Sequence, residues 1–251
     1  MIIDNYIFDL YGTLIDIHTD EQAPELWEAV CDYIAKELSQ CITASSKAIL
    51  TDPAKLKEVF FKMDRQERVA LGKRLGTEHP EIRIEWVWER LLSDKQEDRA
   101  RPKAEYVPLP IYDFEDADEI VAPMHLVRLG NFFRRTSRDV FRLYPDTLKM
   151  LQSLKRKGKK IFLLSNAQRT FTRDEILELG IADLFDDLFM SSDKLIMKPD
   201  TKYMQMLLDK HNLDKAKCVM IGNEIGSDIK IADDMGMESI LVTDGDFSKI
   251  L

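Results

Sequence analysis

The stretch Tyr6-Ile7-Phe8-Asp9-Leu10-Tyr11-Gly12-Thr13-Leu14 constrains this chain more than any other. Ile7 and Phe8 read as a strand buried on both faces, because parallel strands covered by helices on either side show uninterrupted apolar residues rather than alternation. Asp9 then falls at the carboxyl end of that strand, where open α/β sheets build their sites. Gly12 lets the backbone turn sharply just beyond it. A carboxylate in that place is partly withdrawn from water, which is costly unless a metal, an amide or a cation compensates. The plainer reading is a strand-end aspartate that caps a turn, and these residues alone leave the two readings level.

The rest of the chain has two textures. Residues 14–19 read as a short flap. From Glu21 the pattern is helical, with Leu26, Val30, Tyr33, Ile34 and Leu38 at spacings of three and four. A second helix follows Asp52, a suitable N-cap, and carries Leu56, Val59, Phe60 and Met63. A third covers 84–92 through Trp86 and Trp88, a pair read as packing residues. Residues 93–110 are charged, hold Pro102, Pro108 and Pro110, and read as an exposed loop. A fourth helix runs from about Asp116 through Leu126, Phe133 and Val140, and Arg134, Arg135, Arg138 and Arg142 read as its solvated face.

From Tyr144 onward helices and strands alternate, which implies a parallel sheet. The strands read as 160–164, 188–190, 218–221 and 239–242. The first strand must join them, since alone it would bury nothing. The expected organisation is therefore an α/β core made of 1–19 and 141–251, with 20–140 as an inserted helical region. A chain of 251 residues, 45% hydrophobic, has enough apolar material for both interiors. A net charge of −9 argues against nucleic-acid binding through bulk electrostatics. Cys31, Cys41 and Cys218 form no CxxC pair and suit a reducing cytoplasm. No apolar run approaches the length of a membrane span, and the acidic Asp4 does not fit a secretory signal.

Three further strand ends carry polar residues. The strand at 160–164 ends in Ser165-Asn166, a hydroxyl and an amide that can hold an oxygen of a small anion, or simply form a turn. Lys198-Pro199-Asp200 offers an ammonium that could neutralise an anionic ligand, or a solvated surface lysine. The strand at 218–221 ends in Gly222-Asn223-Glu224-Ile225-Gly226-Ser227-Asp228-Ile229. There the acids could bind a hard cation, or Asp228 could only cap its helix.

In this order and at these strand ends, the residues resemble the four motifs of the haloacid dehalogenase-like hydrolase superfamily. The match covers the start and roughly the last half of the chain. It implies a Rossmann-like parallel sheet with an all-helical cap inserted directly after the first motif. It implies that Asp9 is a nucleophile and that Tyr11, Thr13, Ser165, Asn166 and Lys198 complete the catalytic set. It also implies a Mg2+ ion held by Asp9, a backbone carbonyl such as that of Tyr11, and either Glu224 or Asp228. The substrate would be a small anion, a phosphate ester or acyl phosphate, hydrolysed through an aspartyl-phosphate.

Two positions depart from the phosphatase pattern. Tyr11 stands where those enzymes usually carry a second Asp that protonates the leaving oxygen, and a phenol with a pKa near 10 is a poor base at neutral pH. His18 and Glu21 are candidates to replace that acid. Asn223 stands where the first acid of the fourth motif usually is. Asp-x-Tyr-Gly-Thr and Asn223 also resemble the 2-haloacid dehalogenases, which use no metal and attack carbon, and Tyr203 loosely fits their pattern. Against that reading, those enzymes carry an Arg early in the cap, and the first Arg here is Arg65. They also have an Asp three residues after the Asn, where this chain has Gly226. A binding or regulatory protein that kept the fold is the third reading.

Overall fold

In the computed structural model, which describes residues 3–93, 106–108 and 121–250, the first strand β1 (Asn5–Phe8) is the centre of a five-stranded sheet. The chain continues through β2 (Ile15–Thr19), α1 (Pro24–Glu37), α2 (Ala44–Leu50), α3 (Pro53–Leu75), α4 (Ile84–Ser93), β3 (Tyr106–Pro108), β4 (Val121–Pro123), α5 (Met124–Ser137) and β5 (Arg138–Leu143). It then alternates through α6 (Thr147–Arg156), β6 (Lys160–Ser165), α7 (Arg169–Glu178), β7 (Asp187–Met190), the single turn α8 (Ser191–Lys194), α9 (Thr201–Lys210), β8 (Cys218–Gly222), α10 (Lys230–Met235) and β9 (Glu238–Leu241). The sheet order is β7-β6-β1-β8-β9, and every pairing in it is parallel. This is the Rossmann-like arrangement expected from the sequence.

Register explains why each strand is apolar throughout. Ile7 faces one layer with Phe162, Leu164, Cys218 and Met220, against Met204 and Leu207 of α9 and Ile231 of α10. Phe8 faces the other layer with Ile161, Leu163, Val219 and Ile221, against Met150, Leu151 and Leu154 of α6 and Ile176 of α7. Side chains alternate between faces along a strand, so a strand covered on both faces has no position for a polar residue until it ends. Each large apolar side chain buried there contributes about 1.5–3 kcal/mol.

The chain divides into two compact units. The first is Met1–His18, Leu71–Glu81 and Val140–Leu251; the second is Thr19–Ala70 and Ile82–Asp139. The second unit has its own interior, in which Trp27, Phe60, Trp88 and Phe133 pack with ring centroids 4.5–5.5 Å apart. Trp88 is completely buried in that interior. Among the described residues no helix is long and apolar enough to cross a membrane.

Several sequence expectations are corrected. Residues 15–19 are not a flap but strand β2, which pairs with β5. The fourth helix ends at Ser137, so Val140, Arg138 and Arg142 lie on a strand, and Arg142 pairs with Asp16 at 2.7 Å. The inserted region is not wholly helical, because β3 and β4 pair antiparallel. Most of the loop expected over 93–110, and the expected helix start near Asp116, lie outside the described residues. Residues 71–81, read as part of the insertion, cluster with the sheet. Phe162→Ala, which removes a buried ring from the second strand of the sheet, is expected to lower the unfolding free energy by about 3–5 kcal/mol, measured by urea denaturation.

Candidate active site

The sheet brings its polar residues together because parallel strands end at one edge. Phe8, the last residue of β1, is level with Leu163 and Ile221, and β6 and β8 end within two residues beyond that level. Asp9 is held there by its own N–H, which donates to Ile221 O at 2.9 Å and extends the β1–β8 ladder by one residue. The residue is 7% exposed.

Two side chains converge on Asp9 Oδ1. Ser165 Oγ donates to it at 3.0 Å and Lys198 Nζ at 2.6 Å. Lys198 Nζ also lies 2.7 Å from Asp228 Oδ1 and donates to Leu164 O at 2.7 Å. The three N–H donors of the ammonium therefore have three acceptors, two of them charged. Lys198 is 2% exposed and Asp228 1%. Burial alone would lower the ammonium pKa, but the two carboxylates outweigh it and hold Lys198 above its ordinary value. Burial pushes the Asp9 carboxyl upward; the ammonium opposes the shift and the negative charge of Asp228 adds to it.

The neighbouring groups are fixed in turn. Asn166 Oδ1 accepts the Lys198 backbone N–H at 2.8 Å, and Asn166 Nδ2 donates to Lys198 O at 3.1 Å. The amide that the sequence offered as an anion contact is thus engaged with the backbone of the lysine. Thr13 Oγ1 donates to Asn223 Oδ1 at 3.0 Å and lies 3.5 Å from Asp9 Oδ2. The second oxygen of Asp9 is consequently much less engaged than the first. Asp228 Oδ2 accepts the Glu224 N–H at 3.0 Å. Asp228 sits in a π turn, Ile225–Ile229, that precedes α10, a geometry frequent at functional sites.

Two glycines permit this closeness. Gly12 has φ +78°, and a Cβ on it would run into the Asn223 side chain. A Cβ on Gly222 would overlap the Asp228 carboxylate.

The remaining candidates divide. The Tyr11 hydroxyl is turned to α7, where it lies 2.5 Å from Glu175 Oε2 and 2.8 Å from Thr172 Oγ1. Neither partner was singled out from the sequence, although their spacing of three on one helix face is a signal that could have been read. Tyr203 is buried and its hydroxyl bonds Phe189 O at 2.8 Å and Ser165 O at 3.1 Å, tying the tips of β6 and β7 together. Burial pushes its phenol well above the ordinary range, so it stays a neutral donor. Glu224 is exposed and accepts a bond from Ser227 Oγ at 2.8 Å. His18 is exposed on β2, and Glu21 belongs to the second unit, where burial raises its carboxyl against the pull of Arg134. Among the described residues no group of three or more His, Cys, Asp or Glu side chains is gathered to hold a metal ion.

Comparison with known proteins gives the family of the chain. Residues 3–236 match the haloacid dehalogenase-like hydrolase family, and the chain belongs to it. It is 28% identical over 108 residues to a glyceraldehyde 3-phosphate phosphatase of Methanocaldococcus jannaschii, which is 43% of this chain and 47% of that one. It is 28% identical over 115 residues to a phosphoglycolate phosphatase of Vibrio vulnificus, 46% of this chain and 50% of that one. The chain thus spans about half the length of these curated relatives. A solved 2-haloacid dehalogenase of Pseudomonas syringae shares the fold with a TM-score of 0.58 and 20% identity, covering 96% of this chain and 86% of that one.

Removing the ammonium would leave two buried carboxylates facing each other. Lys198→Met is expected to destabilise the protein by about 3–5 kcal/mol at neutral pH. Because the folded-state pKa of Lys198 is raised, its stabilisation is present at neutral pH and is lost as pH rises through that raised value. The difference between parent and Lys198→Met in chemical denaturation should therefore shrink only on the alkaline side of the ordinary lysine range.

Proposed function

We propose that the protein is a magnesium-dependent phosphatase that hydrolyses a small phosphorylated metabolite through an aspartyl-phosphate on Asp9. The observation that carries this reading is the buried trio of Asp9, Lys198 and Asp228, whose charges sum to minus one. A surplus negative charge withdrawn from water favours an added cation. The donors are hard oxygens, and magnesium is typically held by one or two carboxylates with phosphate oxygens and water completing its shell. The ion fits this set, with Asp9, Asp228 and the Tyr11 backbone carbonyl as its holders. Asp228 is preferred to Glu224 because it is buried beside Lys198, whereas Glu224 is exposed. When bound, the ion supplies charge neutralisation to the phosphoryl group.

The chain's own residues then have distinct tasks. Asp9 Oδ2, the less engaged oxygen, attacks phosphorus while Oδ1 stays held by Ser165 and Lys198. The bond to the leaving oxygen breaks, and water later cleaves the aspartyl-phosphate to return the carboxylate and release phosphate. Ser165 and Lys198 orient the nucleophile and offset charge on the phosphoryl oxygens. Asn166 keeps Lys198 in place, and Thr13 fixes Asn223. The Tyr11 hydroxyl is engaged by Glu175 and Thr172, so no carboxylic acid stands two residues beyond Asp9 to protonate a leaving alkoxide. This favours leaving groups that depart without a proton, an acyl phosphate above all. The relatives' names, glyceraldehyde 3-phosphate and phosphoglycolate phosphatase, support a small phosphorylated substrate.

One observation favours a second reading, a 2-haloacid dehalogenase. Position 223 is a neutral amide bonded by Thr13, and position 11 is a phenol, both features of metal-free attack on carbon. The two readings separate in one set of assays. The phosphatase reading expects magnesium-dependent hydrolysis of acetyl phosphate, with kcat/KM roughly 100-fold or more above that for an alkyl phosphate, because general acid catalysis is worth about 10²–10⁴. Asp9→Asn should lose on the order of 10³-fold or more. Chloride release from 2-chloropropionate that persists in EDTA, with no phosphate released from either ester, would overturn it in favour of the dehalogenase.

A further inference from the structure

Residues 71–81 leave the long helix α3 and cross the α/β unit before the chain departs again. They run beside the segment that leads into Lys198. The Met197 N–H donates to His79 O at 3.0 Å, the Glu81 N–H donates to Leu195 O at 3.2 Å, and Pro80 bridges Ile196. Beyond the lysine, the Thr77 hydroxyl donates to Asp200 Oδ2 at 2.5 Å. The loop that presents the ammonium is therefore held on both sides of Lys198 by one short strap.

The end of the strap reaches a second loop. Glu81 is 4% exposed. Its Oε2 accepts Ser191 Oγ at 3.1 Å and its Oε1 accepts Gln168 Nε2 at 3.0 Å. Ser191 Oγ in turn accepts the Ala167 N–H at 2.8 Å. Ala167 and Gln168 directly follow Ser165-Asn166. One buried residue thus reaches both loops whose side chains meet on Asp9 Oδ1, the loop after β6 through its carboxylate and the loop before Lys198 through its backbone N–H. A buried carboxylate is costly and would be replaced by an apolar residue if packing were its whole purpose.

We infer that Glu81 is a positioning residue for the site: its side chain holds the loop of Ser165 and Asn166 through Ser191 and Gln168, while its backbone holds the loop of Lys198. Losing the carboxylate frees Ser191 to turn its hydroxyl to Ala167 O, 3.3 Å away, and leaves Gln168 without that acceptor. The two loops then shift relative to each other, and the donors on Asp9 move with them. Displacements of about 1 Å at such groups can lower turnover 100-fold. Glutamine keeps the fork: its oxygen accepts Gln168, its nitrogen donates to Ser191 Oγ, and the Ser191 proton takes Ala167 O.

The test has a structural and a kinetic arm; the kinetic arm rests on the phosphatase reading and the structural arm does not. Crystal structures of the parent, Glu81→Ala and Glu81→Gln are compared. In Glu81→Ala the Lys198 Nζ to Asp9 Oδ1 separation, 2.6 Å here, should open beyond about 3.5 Å, and in Glu81→Gln it should not. With acetyl phosphate and magnesium, Glu81→Ala should lower kcat roughly 10- to 100-fold with KM within about 3-fold, and Glu81→Gln should recover kcat to within about 3-fold of parent. Phe162→Leu serves as a destabilised comparator whose kcat should stay near parent. Ser191→Ala, which removes one hydroxyl, should show the same split and covers the case in which Glu81→Ala does not fold. An unchanged Lys198–Asp9 contact in Glu81→Ala or Ser191→Ala overturns the inference. So does a kcat loss matched by the comparator at equal melting temperature, or a Glu81→Gln as impaired as Glu81→Ala. If the parent itself lacks Asp9-dependent phosphate release, the phosphatase reading falls and the crystallographic comparison decides the inference alone.

Discussion

The ammonium of Lys198 is the interaction on which the rest of the site depends. It is buried and spends all three protons on acceptors it cannot leave without exposing charge: Asp9, Asp228 and Leu164 O. Without a cation between them, two carboxylates gathered at one sheet edge could not both stay ionised. Lys198 is therefore what allows β1 to end in an aspartate while the turn after β8 supplies another. Pairing and hydrogen bonding are the usual conditions under which buried charges persist.

Around that ion the structure spends its side chains on holding backbone. Asn166 clasps the lysine's peptide groups, Tyr203 ties two strand tips, and Ser191 seats an amide of the loop after β6. Such a division suits a site whose reacting geometry must be set in advance, because preorganised donors act without reorganising when charge moves. It also separates roles that look alike in sequence. Ser165 and Asn166 are adjacent, yet one hydroxyl faces Asp9 while the neighbouring amide faces the lysine's main chain.

The core was legible because its physics is local and repetitive. Strands covered on both faces must be apolar to the last residue, so the first polar residue after each run marks the sheet edge, and Asp9, Ser165 and Asn223 were found that way. Other features depend on partners far away in sequence. β2 is short and alternating, and only its pairing with β5, more than a hundred residues later, makes it a strand. The end of α5 escaped notice because Leu126, Phe133 and Val140 continue a seven-residue spacing across Ser137, with no glycine or proline to stop the helix there. The fate of 71–81 was invisible for a further reason. α3 is one unbroken helix from Pro53, and helical periodicity carries no mark of which interior a given turn belongs to. Glu81 then reads as one more charged residue until its partners are seen.

That path of the chain bears on modularity. Polypeptide leaves the sheet-bearing unit after His18, returns at Leu71, departs again after Glu81 and comes back at Val140. The inserted region is thus two excursions rather than one, and the stop between them supplies neighbours to Leu195, Met197 and Asp200. Excision or exchange of the insertion as a single cassette would strip those neighbours away, so a transplantable catalytic half would have to carry its own replacement for eleven residues that sequence order assigns to the other domain.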